Sequence, residues 1–152
     1  MHHADGKSSL PAVRQQSHPQ CFVCGPANGH GLGLDFHLAH DGAVEASFAC
    51  APVFAGYPGI LHGGIICTLL DGAMTNCLFA HGLAAVTVDL HVRFRHPAAV
   101  NLPATVRAWL DAADSLIHRL EAEVVQHGQI VATAKARFVE KRAMSWFGKT
   151  TT

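Results

Sequence analysis

The chain has 152 residues, of which 49% are hydrophobic and 14% charged, with eleven Lys or Arg balanced by eleven Asp or Glu. That length fits a single domain with a sizeable core, and so apolar a composition excludes a disordered chain. A formal net charge of zero leaves no electrostatic footprint for nucleic acid or an anionic membrane surface, so neither is expected as a partner.

In chain order, residues 1–20 are polar and unpatterned and read as a tail or lead-in to a domain over 21–140. His2, His3, Asp5 and Lys7 leave no apolar h-region, so no secretory signal is expected. The odd number of cysteines, five, then reads as reduced thiols in a cytoplasm. Cys21-Phe22-Val23-Cys24-Gly25, flanked by His18 and His30, has half the ligand pattern of a zinc knuckle. With no second C-x-x-C in the chain, a packed turn is expected there and no metal. Leu32, Leu34, Phe36 and Leu38 alternate with polar or small residues, the period of a half-buried strand. Asp41-Gly42 then signals a hairpin turn, and Val44, Ala46 and Phe48 the return strand.

From about His62 to His81 the chain is apolar nearly all round, with Pro58 and Gly59 before it and Gly82 after it, which predicts a buried helix. The glycines, the prolines and one carboxylate interrupt this stretch, against a membrane-spanning segment of about 20 apolar residues. Val86, Val88, Leu90, Val92 and Phe94 predict a strand, with Thr87, Asp89, His91, Arg93 and Arg95 on its other face. Strands over about 103–112, 115–126 and 130–140 follow as a meander, and residues 141–152 read as a tail. Two strands, a buried helix and four strands describe an α+β domain whose antiparallel sheet wraps one long helix.

Between Glu45 and Asp89 the only charged side chain is Asp71, in the middle of that helix. A carboxylate there is desolvated, and its helical neighbours Gly64, Cys67, Thr68, Met74, Thr75 and Leu78 include no cation. Spacing alone leaves two readings open: a carboxyl held in a structural network, or a general base of raised pKa acting on water. The helix start, His62-Gly63-Gly64, favours the second, because free N–H groups of a first turn suit negative charge developing on a carbonyl oxygen. Gly64 and Asp71 are seven residues apart, about 10 Å of helical rise, too far for one carbonyl to touch both. Two copies packed with antiparallel helices would bring one helix start to the other's middle, which predicts a dimer with composite sites.

Gly59-Ile60-Leu61-His62-Gly63-Gly64, six residues, then Asp71 resembles the H-G-G-x6-D signature of hotdog-fold thioesterases of the phenylacetate-degradation (PaaI-like) type. The resemblance covers roughly residues 20–140 and implies an acyl-CoA thioesterase, a homodimer or dimer of dimers with no cofactor, coenzyme A being part of the substrate. It implies Asp71 as general base or nucleophile, the N–H of Gly63 or Gly64 polarising the thioester carbonyl, His62 supporting that loop and Thr87 assisting. Cys67, Thr68 and Thr75 would line the pocket, and Arg93 and Arg95 would attract the coenzyme phosphates. Some relatives carry an Asn six residues before the His, where this chain has Gly56. That departure keeps a non-catalytic acyl-CoA-binding module as the alternative. A hotdog hydratase or dehydratase would want a His five residues after Asp71, where Asn76 stands.

Overall fold

Eighteen residues, Gly63–Ala80, form the helix α2 around which the rest of the chain is arranged. Its side chains Ile66, Leu69, Leu70, Ala73, Met74, Cys77 and Leu78 are all buried, as an all-round apolar helix requires. The computed structural model describes residues 8–144. Within them α1 (Leu10–Ser17), β1 (His37–Leu38) and β2 (Val44–Phe48) precede α2. Strands β3 (Ala85–Phe94), β4 (Ala104–Ala113), β5 (Ile117–Gln126) and β6 (Gln129–Glu140) follow it. The six strands make one antiparallel sheet in the order β1-β2-β4-β5-β6-β3, so β4, β5 and β6 are the expected meander and β3 closes one edge. This is the hotdog arrangement, a sheet curled round one long helix.

Both ends of α2 are built by local chemistry. His62 is its N-cap, with extended backbone and with its ring Nδ1 accepting the Gly64 N–H. At the other end Gly82, at φ 73°, lets Gly82 N–H donate to Phe79 O and Leu83 N–H to Leu78 O, a Schellman stop. Buried Gln126 exchanges two hydrogen bonds with the Ala99 backbone and donates to Leu102 O, which pins the loop after β3. Buried His118 meets Glu140 at 2.9 Å and ties β5 to the end of β6.

Three segments differ from the sequence reading. Residues 10–17, read as part of a lead-in, form α1 on the flank of α2, with Leu10 fully buried and the Ser9 hydroxyl donating to Phe79 O and Ala80 O. Its pattern escapes notice because two apolar anchors, Leu10 and Val13, suffice for eight residues. The alternation over 32–38 does bury Leu34 and Phe36, yet only His37–Leu38 pairs as a strand. Leu32 and Leu34 donate their N–H groups to Phe22 O and Val23 O instead, so this stretch pairs with the C-x-x-C segment. In the presumed C-terminal tail, Lys141–Ala143 forms a short 3-10 turn. Residues 1–7 and 145–152, the remainder of the two expected tails, lie outside the described residues.

The C-x-x-C segment lies directly on α2. A Cβ on Gly72 would stand 2.6 Å from Val23 Cγ1, so the helix has a glycine where the turn presses on it. Valine is stiff at χ1 and cannot swing clear. Gly72→Ala is expected to cost about 1–3 kcal/mol by overpacking. Adding Val23→Ala should return part of that loss, as read by urea denaturation of the single and double variants.

Candidate active site

Asp71 lies midway along α2, partly exposed, and its Oδ1 accepts a hydrogen bond of 2.6 Å from the Thr87 hydroxyl of β3. Burial pushes its carboxyl above the usual carboxylate range, the Thr87 hydroxyl opposes this, and Cys21 and His18 act on it with opposite signs. No cation pairs with it among the described residues. A carboxyl so placed holds its proton more tightly than one in water and is a stronger base when ionised.

Thr87 reaches Asp71 because β3 is irregular there. The register against β6 slips between Thr87 and Asp89, leaving Val88 as an extra, bulged residue. Thr87 opposes Phe138, and Leu90, Val92 and Phe94 oppose Ala136, Ala134 and Ala132, so these four strand residues share the helix-facing side. The strict alternation read from the sequence put Thr87 on the face opposite Leu90 and Val92; the bulge overturns that. The Asp89 carboxylate accepts the Arg137 N–H at 3.1 Å and pairs with the Arg137 guanidinium, filling the gap in the ladder.

The start of α2 separates the two candidate glycines. The Gly64 N–H is taken by His62 Nδ1 at 2.8 Å, and a Cβ on residue 64 would lie 3.0 Å from that nitrogen, so glycine is what lets the ring fold over the helix end. With Nδ1 accepting, a neutral His62 carries its proton on Nε2. The Gly63 N–H has no acceptor among the described residues and borders a cleft of about 790 Å³. Gly56, Tyr57, Ile60, Phe94 and Arg95 also border it. Of the two glycines, Gly63 has the donor free for a carbonyl oxygen.

The remaining candidates are spread out. Thr68 and Thr75 donate their hydroxyls to Gly64 O and Asp71 O one turn back, and Thr75 is buried, so neither hydroxyl engages the Asp71 carboxylate. Cys67 is half-buried, and burial pushes its thiol up, away from nucleophilic character. Gly56 lies against His62, with a Cβ there 3.4 Å from its Cα and ring. Arg93 opposes Thr133 on the outer face, whereas Arg95 lies both on that face and at the cleft. Asn76 is fully buried, and its amide donates to Gly72 O and Cys24 Sγ, so the position a hydratase would give to His is used in packing. Sequence reasoning passed over Phe94, which lies 3.5 Å from where a Gly63 Cβ would be, and the exposed Tyr57. Only the bulge and the fold of the 55–61 loop bring them to the helix start. Asp71 itself does not border the Gly63 cleft.

The family model described as the thioesterase superfamily matches residues 58–133, half of the chain, including the helix start, Asp71, Thr87 and both arginines. The chain belongs to the thioesterase superfamily. Among superfamily structures, a thioesterase superfamily protein aligns with TM-score 0.72 at 25% identity, over 77% of this chain and 61% of its own. The PaaI protein of the phenylacetic acid degradation operon of E. coli aligns with TM-score 0.66 at 21% identity, over 72% of this chain and 80% of its own, and shares the fold. The acyl-coenzyme A thioesterase THEM4 of Bos taurus is 29% identical over 98 residues, 62% of this chain. The match covers only 39% of the bovine protein, so this chain spans about two-fifths of that relative.

The raised Asp71 carboxyl has a consequence for stability. A folded-state pKa above the ordinary 3.8 means that the native chain binds a proton the unfolded chain gives up, so stability falls as pH rises from about 3.8 through the folded value. Asp71→Asn keeps an Oδ1 acceptor for Thr87 and removes the ionisation. The variant is expected to melt above the wild type at pH 7, the gap closing below pH 3.8; an unchanged gap across that range would contradict the assignment.

Proposed function

We propose that this chain hydrolyses the thioester of a small or medium acyl-coenzyme A, with Asp71 as the general base or nucleophile. The observation that carries the proposal is the desolvated Asp71 carboxyl, held by Thr87 at 2.6 Å on the central helix of a thioesterase-superfamily fold. The acyl-CoA substrate class rests on the name of the bovine relative. The free Gly63 N–H would receive the carbonyl oxygen, stabilising the oxyanion as the tetrahedral intermediate forms. Asp71 would take a proton from the attacking water, or attack the carbonyl carbon itself, and coenzyme A would leave as its thiolate. His62, by capping the Gly64 N–H, would hold the first turn so that Gly63 faces the cleft. Arg95, which borders the cleft, would meet a phosphate of the coenzyme, with Arg93 on the outer face behind it. Asn76, locked into the packing beneath the helix, gives a hydratase reading no support.

The same reading needs two chains. Gly63 and Asp71 are eight positions apart on one helix, about 12 Å of rise, and Asp71 does not border the cleft at Gly63 of its own chain. Strand β3 is an edge of the sheet, and Val88 and Leu90 are exposed along it. An unpaired edge carrying apolar side chains is a template for a second strand. A homodimer, or a dimer of dimers, formed about this edge would set the Gly63 of one protomer against the Asp71 of the other. A reducing, cytoplasmic setting belongs to this proposal.

Two measurements test it. Thiol release from an acyl-CoA panel should fall about 10²–10⁴-fold in Asp71→Asn, and less in Thr87→Val, with KM little changed. Equal rates in wild type and Asp71→Asn would remove Asp71 from the reaction. Tight acyl-CoA binding with no thiol release by the wild type would leave a binding module. Sedimentation of the wild type should give a dimer or tetramer, and Leu90→Lys should lose assembly and activity together. A fully active monomer would refute the composite site.

A further inference from the structure

The C-x-x-C turn expected to be mere packing has a shape and surroundings that packing does not need. Gly25 N–H donates to Cys21 O at 2.8 Å, closing a tight loop, and Val23 N–H donates to Cys21 Sγ at 3.4 Å. A Cβ at residue 25 would stand 2.2 Å from Cys21 N and 2.6 Å from Cys21 O, so the loop closes only with glycine. Loops of this kind aim both sulfurs of the pair to one side and direct backbone N–H groups at the first sulfur, which stabilises a thiolate. The sequence reading dismissed a metal for want of a second pair of cysteines. Through the fold, the end of α1 delivers His18 instead, and one donor atom each of His18, Cys21 and Cys24 lies within 4.8 Å of the others. His30 is exposed and not among them.

We propose that His18, Cys21 and Cys24 bind one soft divalent metal ion of the Zn²⁺ type. Two sulfurs and an imidazole nitrogen are the donor set Zn²⁺ takes, at about 2.3 Å for sulfur and 2.0–2.1 Å for nitrogen. Tetrahedral ligands at those lengths lie about 3.8 Å apart, within reach of small side-chain rotations from the observed spacing. His18 Nδ1 is buried with no hydrogen-bond partner among the described residues, a vacancy that otherwise costs desolvation energy. Asn76 is fully buried and donates to Cys24 Sγ at 3.4 Å while its other bond to Gly72 O fixes the amide, the support a ligating sulfur receives from its surroundings. Three protein ligands leave the fourth position for water. Because Val23 of this loop presses on Gly72, beside Asp71, an ion here would fasten the loop against the working part of α2.

The test uses the full chain, reduced and stripped with a chelator that is then removed, and titrated with Co²⁺ and Zn²⁺. The expected result is one ion per chain, a sulfur-to-cobalt charge-transfer band, protection of two of the five thiols from an alkylating reagent and a higher Tm. His18→Gln and Cys21→Ser should each weaken binding at least about tenfold, and His30→Gln should leave it unchanged. If either ligand variant fails to fold, the wild-type stoichiometry and thiol protection decide. Less than one tightly bound ion per wild-type chain, or binding indifferent to Cys21→Ser, overturns the proposal. So does formation of a Cys21–Cys24 disulfide with a small-molecule disulfide, with no metal uptake by the reduced chain.

Discussion

A helix apolar on nearly every side must be covered on every side, and the cover for α2 comes from three parts of the chain. The curled sheet takes one flank, α1 and the C-x-x-C loop take another, and the loops over 52–61 and 95–102 close off its start. Each cover has left a mark on the helix sequence. Gly72 yields to Val23, Gly64 yields to the His62 ring, and Asn76 turns its amide N–H groups to Gly72 O and to Cys24 Sγ of the loop. By length and hydropathy α2 also passes as a membrane span; its burial within the sheet shows where the apolar surface is used.

Against that apolar background one carboxylate is costly, and among the described residues no cation pairs with it. Thr87 supplies a single hydroxyl, enough to orient Asp71 and too little to neutralise it. The remaining desolvation raises its proton affinity, which lowers stability at neutral pH and creates basicity in the same residue. Stability given up at a site in exchange for reactivity is a common pattern in enzymes. The division of labour at the helix start is similar: His62 satisfies one N–H and leaves its neighbour open. A first turn with every donor satisfied would have nothing to offer a carbonyl oxygen.

Much of this was legible from residues alone. The all-round apolar run with its flanking glycines marked α2 to within a residue at each end, because helix periodicity, capping and the glycine stop are local. Five of the six strands fell where alternation put them, for the same reason. Asp71 stood out as a lone charge, and His62-Gly63-Gly64 as a helix start, from the residues alone. What escaped was the β-bulge, since one extra residue leaves composition unchanged while it reverses which side chains face the helix. Helix α1 escaped because one buried and one half-buried anchor are too few to show a period.

By itself, then, the amino-acid order determined the element types, the buried helix and the isolation of its carboxylate, all of which follow from interactions within a few residues. Only the tertiary structure decided which hydroxyl meets Asp71, which glycine N–H stays open and which histidine joins Cys21 and Cys24. Those pairings join residues up to sixteen positions apart, brought together by strand register and by the way covering segments seat on the helix, which no local pattern encodes. The unfilled edge of β3 and the separation of Gly63 from Asp71 belong to the same class, being properties of the assembled surface.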